Sequence, residues 1–159
     1  MRLLVLKMLR QLYAASLRVM TRFGNKRKSA GELLNALLER DRRYSRDAYV
    51  FVSEALGYTV QRSGRTGHVS GRQLCEGFRD HALEQFGRLA RLVLESWGVR
   101  SSEDIGNIVF NMVQIGLLRK TDEDRREDFV GVLDFEEAFD RGFQIHIESG
   151  GEEGEGSEG

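Results

Sequence analysis

Apolar residues recur at three- and four-residue spacing through most of residues 30–115, the pattern of successive amphipathic helices. Leu33, Leu34, Leu37 and Leu38 form one such face. They follow Ser29-Ala30-Gly31-Glu32, where the serine and glutamate have capping-box spacing, so a helix is expected over residues 30–41. Ser45 is placed to cap a second helix, with Ala48, Tyr49, Val52, Ala55 and Leu56 inward and Gly57 closing it. Residues 58–61 then read as extended. Ser70-Gly71-Arg72-Gln73 is a second capping box, opening a helix to Phe86 with Leu74, Phe78, Ala82 and Phe86 at four-residue spacing. Gly87 breaks it, a further helix is expected over residues 88–97, and Gly98-Val99-Arg100-Ser101 makes a turn. Ser101 or Ser102 starts the most apolar helix. Ile105, Ile108, Val109, Met112 and Val113 keep its period, and Phe110 and Ile115 extend the apolar surface nearly all round. That helix should be central.

After Gly116 the periodicity fails. Residues 119–128 are dense in mixed charge. Phe129-Val130-Gly131-Val132-Leu133 allows a short strand, and residues 134–139 a short capped helix. The expected fold is mainly α, a compact domain of about five helices over residues 29–143, with a small winged-helix-like β-hairpin allowed near its end. Residues 1–28 read as a basic amphipathic extension and residues 144–159 as an acidic Gly/Glu tail expected to be disordered. Proline is absent, so helices must end on glycine, with Gly57, Gly87 and Gly98 placed for it.

Charge sharpens this division. The net charge of −1 is nearly neutral. Yet Arg2, Lys7, Arg10, Arg18, Arg22, Lys26, Arg27 and Lys28 stand at one end without an acid, and residues 148–159 hold glutamates without a base. Lys7, Arg10, Arg18 and Arg22 share one side of a helix over residues 2–23, opposite Val5, Met8, Leu9, Leu12, Val19 and Met20. Packing on the domain or a partner is the favoured use. Peripheral membrane contact by residues 1–23 is not favoured, and a translated extension ahead of a start at Met8, Met20 or later is the third alternative. The longest uncharged run, residues 105–118, falls short of the roughly 18 apolar residues of a membrane span. The single cysteine, Cys75, has no partner for an internal disulfide, which suits a reducing compartment. A cytoplasmic location is expected.

One stretch invites chemistry. Arg62-Ser63-Gly64-Arg65-Thr66-Gly67-His68-Val69-Ser70-Gly71-Arg72 is basic, rich in glycine, and leads into a helix start. Free N–H groups at that start, with arginines and a histidine around them, suit an anion or an acidic partner. The candidate binding residues are Arg62, Arg65, Gly67, His68, Ser70, Gly71 and Arg72. The competing reading is structural: Ser70 caps, His68 bonds a neighbouring loop, and the arginines are solvated. The spacing is not that of a P-loop or a dinucleotide fingerprint. Residues 88–115 have helix-turn-helix proportions, but Ser102-Glu103-Asp104 would bring acid to the phosphates, which argues against duplex DNA. Asp122, Glu123, Asp124, Glu127 and Asp128 fail the EF-hand pattern. Cys75 sits beside Leu74 and Phe78 as a core residue, and His81 as a core or boundary residue, while His146 is expected to be exposed. No catalytic residue, metal site or cofactor is expected.

Several segments together carry a resemblance. They are Glu39-Arg40-Asp41 with Tyr44, Asp47-Ala48-Tyr49, Gly67-His68-Val69-Ser70-Gly71, Ala82-Leu83-Glu84-Gln85-Phe86-Gly87 and Trp97-Gly98-Val99. Further on come Gly106-Asn107-Ile108-Val109-Phe110-Asn111, Gly116-Leu117-Leu118, Glu127-Asp128-Phe129 and Asp134-Phe135-Glu136-Glu137-Ala138-Phe139. Over residues 32–143 the chain resembles a small uncharacterised protein family found mainly in planctomycete and verrucomicrobial bacteria. Arg42 stands where that family has a proline. The resemblance implies a bacterial, intracellular, single-domain protein and brings no activity with it.

The expected function is therefore a non-enzymatic interaction module that meets an unidentified protein partner through residues 62–72. The alternatives are RNA or ribosome binding, and an enzyme acting on a phosphorylated small molecule with His68 as acid or base.

Overall fold

The computed structural model describes residues 28–64 and 68–141. The expected N-terminal amphipathic helix, the acidic tail, His146 and the candidate site residues Arg65 and Gly67 lie outside the described residues.

Among the described residues there are five α-helices: α1 (Ala30–Arg40), α2 (Arg46–Ser63), α3 (Gly71–Phe86), α4 (Ala90–Ser96) and α5 (Ser102–Gln114). A 3-10 turn, Gly87–Leu89, leads into α4. A second, Arg126–Phe129, and a π-helical turn, Glu136–Arg141, follow α5. The local signals that start these helices are satisfied as expected. Ser29 accepts from the Glu32 amide while the Glu32 carboxylate accepts from the Ser29 amide, and Ser70 and Gln73 do the same for α3. Ser45 caps α2. Ser101, not Ser102, caps α5, paired with Asp104 in a third capping box.

Helices α2 and α3 pack against each other, and α5 contacts both. Val52 and Ala55 of α2, Cys75, Phe78 and Ala82 of α3, Leu94 of α4, and Ile105 and Ile108 of α5 are fully buried. Close approach of α2 and α3 depends on Gly77: a Cβ there would lie 1.9 Å from Thr59 Oγ1. Phe51 gathers the rings of Phe78, His81, Phe86 and Trp97 at one end of this seam. The turn between α1 and α2 is bound to α5 by side chains. Tyr44 donates to Asp104 at 2.6 Å and accepts from Asn107 at 3.1 Å, and Asn111 donates to both Asp41 and Tyr49 at 3.1 Å.

Two expectations are corrected. Residues 58–61 are not extended, and Gly57 does not end α2. Helix α2 continues to Ser63, because Thr59 is buried against α3 and its hydroxyl donates back to Ala55 O, so packing outweighs the roughly 1 kcal/mol a mid-helix glycine costs. The helix ends instead at Gly64, with φ at 60°. The allowed hairpin is not formed: no strand occurs among the described residues. The backbone donors of residues 131–133 turn to the start of α5. Gly131 N donates to Glu103 Oε1 at 3.0 Å, and Val132 N and Leu133 N donate to Ser102 Oγ at 3.1 and 3.4 Å. With those groups satisfied by side chains, no ladder is needed.

Candidate binding surface at the basic loop

The expected site residues fall into two clusters. Arg62 occupies the last turn of α2 rather than a loop. Its Nη1 donates to the Tyr58 hydroxyl one turn earlier and stands 3.7 Å from both Asp80 Oδ2 and Glu84 Oε1 of α3. Its guanidinium carbon lies 5.4 Å from the centre of the Tyr58 ring, within cation–π reach. The Tyr58 hydroxyl in turn donates to Glu84. This is a partly exposed aromatic–cation–carboxylate cluster, held across the α2–α3 seam. The hydrogen bond to Tyr58 first, then the charges of Asp80 and Glu84, holds the Arg62 guanidinium more firmly protonated.

The second cluster lies past the loop. His68 Nε2 meets Asp124 Oδ1 at 2.9 Å, and Asp124 also accepts from the Thr121 amide at 2.7 Å. Ser70 is engaged as the cap of α3. Gly71 is buried under the segment that follows α5: a Cβ on it would lie 3.0 Å from Asp128 Cβ, 3.1 Å from the Phe129 ring and 3.2 Å from Asp128 O. The first turn of α3 is thus covered by the chain's own Asp128 and Phe129. Arg72 is exposed and forms no ion pair with a described residue.

Between these elements is a cleft of about 420 Å³. Val52, Leu56 and Val60 of α2, Leu74 of α3, and Val109, Phe110 and Val113 of α5 form its walls. His68, Val69 and Gly71, together with Leu118, Arg119, Lys120, Asp124, Asp128 and Phe129, complete its lining. The C-terminal part of the basic loop is therefore one rim of an apolar hollow.

The partners of these residues were only partly legible. Tyr58 and Arg62 are four apart, a spacing that matters only once residues 58–61 are helical. Nothing local marks Asp80 and Glu84 as partners of Arg62, or Asp124 as the neighbour of His68. The other candidate chemistry is structural. Burial, then the Glu103 and Glu76 charges, push the Cys75 thiol up to about 12, so it is a resting thiol. His81 is sandwiched between Phe51 and Tyr58, each ring centre 5.0 Å away, and neither ring nitrogen has a hydrogen-bond partner among the described residues. Among the described residues no group of three or more His, Cys, Asp or Glu is placed to hold a metal, and no helix is long and apolar enough to cross a membrane.

Comparison with protein-family models, with curated proteins and with solved structures finds no match to this chain.

Proposed function

We propose that this chain is a non-enzymatic interaction module that binds a protein partner through the basic surface of residues 62–72. The observation that carries this reading is the setting of Arg62. An exposed arginine and a half-buried tyrosine, side chains enriched among the anchors of protein interfaces, stand together and are held in place by Asp80 and Glu84. Little side-chain freedom is then lost on binding. The same carboxylates argue against the nucleic-acid alternative, because phosphates approaching Arg62 would meet Asp80 and Glu84, and those approaching His68 would meet Asp124. A reducing intracellular setting is part of the proposal, supported by the single, buried Cys75. So is membership of the planctomycete and verrucomicrobial family, supported by the segments it shares.

A second reading has one observation in its favour. The His68–Asp124 pair lines a cleft large enough for a small molecule, an arrangement that suits acid–base catalysis.

The deciding experiment is purification of the full chain from its native source at low salt, with cross-linking and the 260/280 nm ratio before and after nuclease. A partner that co-purifies with the wild type and is lost when Arg62, Arg65 and Arg72 become glutamate supports the module. A partner that survives the triple change removes the surface from consideration. A high ratio that nuclease lowers would transfer the function to RNA.

A further inference from the structure

The cleft beside His68 has a chemistry that the Arg62 surface does not use. Its interior is aliphatic and aromatic, from Val52, Leu56 and Leu74 to Val109, Phe110 and Phe129. Its volume of about 420 Å³ lies within the range of roughly 300–1,000 Å³ typical of small-molecule sites, which pair apolar walls with a few placed polar groups.

The rim carries four formal charges besides His68, and they are not equivalent. Asp124 is engaged by the Thr121 amide, by the Thr121 hydroxyl at 3.2 Å and by His68. Asp128 accepts from the Arg125 amide at 2.9 Å. Arg119 and Lys120 are exposed and form no ion pair with a described residue; Lys120 Nζ donates to the neighbouring Thr121 carbonyl at 3.3 Å. Among the described residues, two acids are held by hydrogen bonds and two cations at the edge of an apolar hollow have no ion pair.

We propose that this cleft binds a small anionic amphiphile, with an apolar chain in the hollow and a carboxylate on Arg119 and Lys120. A bare phosphate would leave the hydrophobic walls unused. An uncharged apolar molecule would leave both cations without a counter-ion. The cleft shares His68, Val69 and Gly71 with the proposed interface, but Arg62, Asp80 and Glu84 do not line it, so the two readings are tested at different residues.

The test is calorimetric titration of the full chain with octanoate below its micelle concentration, and separately with 1-octanol and inorganic phosphate. Octanoate is expected to saturate one site and to bind roughly tenfold more tightly than octanol, the scale of one charge-assisted contact. Changing Arg119 and Lys120 together to glutamine, both exposed and so compatible with folding, should level the two ligands. A folded Val113→Trp variant, which fills the hollow, should lose both. Three results overturn the proposal: no saturable octanoate binding, equal affinity for octanoate and octanol in the wild type, or octanoate binding that persists in folded Val113→Trp.

Discussion

The Thr59 hydroxyl occupies the space that any side chain on Gly77 would need. A Cβ on Gly77 would lie 1.9 Å from Oγ1 and 2.9 Å from Cβ of Thr59. Thr59 is itself fixed, because its hydroxyl donates to Ala55 O at 2.7 Å. Helices α2 and α3 therefore cross with no room for even one methyl group, which brings the charged edge of α3 up to Arg62.

That contact sets the first prediction. Gly77→Ala should destabilise the domain by about 1–3 kcal/mol, the usual cost of overpacking a core. A Thr59→Ala background should recover part of the loss and no more, because the two Cβ atoms still approach within 2.9 Å. Urea unfolding of the four proteins of this cycle measures the coupling. Additive losses would mean that the helices simply move apart.

Ser101 and Ser102 are neighbours with different work. Ser101 caps its own helix, whereas Ser102 is fully buried and accepts from Val132 N and Leu133 N. Ser102→Ala should cost about 1–3 kcal/mol through unsatisfied donors. It should also speed hydrogen exchange at the Val132 and Leu133 amides. Ser101→Ala should cost about 1 kcal/mol as a lost cap and leave those two amides protected.

Asp41 supplies a pH dependence with a definite sign. Its carboxylate accepts from Arg43 Nε at 2.9 Å, Arg43 Nη2 at 2.7 Å and Asn111 Nδ2 at 3.1 Å. The Arg43 bonds first, against the opposing effect of burial, hold it well below the usual carboxylate range. A depressed folded value means that the stabilisation is fully present above the unfolded value of about 3.9 and is lost as pH falls through the folded value. Wild type should therefore be more stable than Asp41→Asn at pH 7. The difference should be unchanged down to about pH 5 and should shrink steadily below pH 4. Denaturant midpoints at pH 7, 5, 3 and 2 check it, and a gap that stays constant to pH 2 would contradict the assignment.

His81 carries the opposite sign of effect. Its imidazole is stacked on Phe51 at an interplanar angle of 19°, and Glu54 Oε2, at 3.9 Å from Nε2, is beyond hydrogen-bond range. His81→Phe keeps the stacking and removes two buried polar atoms that lack partners among the described residues. It should raise stability by about 1 kcal/mol, since burying an unsatisfied polar group costs about that much or more. Calorimetric melting measures it, and a lower melting temperature would show that the imidazole has a use.

The sequence alone determined what lies within about one helical turn. Ser29 with Glu32, Ser70 with Gln73, and the cap at Ser45 are contacts between residues three apart, so spacing is enough to specify them. The buried stripes of α2, α3 and α5 followed in the same way, because a helix carries its period in its own sequence. What the tertiary structure decided are contacts across long separations. Tyr44 meets Asp104, 60 residues on, and Ser102 receives Val132, 30 residues on. Neither partner is marked locally. The apolar run at residues 129–133, with its two valines, would suit a strand in isolation, yet its donors found better-placed acceptors at Ser102 and Glu103. Helix α2 passed Gly57 because Thr59 had a neighbour to pack on. At the candidate site, the positive charges were plain in the sequence. Which of them would be compensated could emerge only from folding, since it brings Asp80 and Glu84 to Arg62, and Asp124 to His68, and leaves Arg119 and Lys120 at the mouth of an apolar cleft.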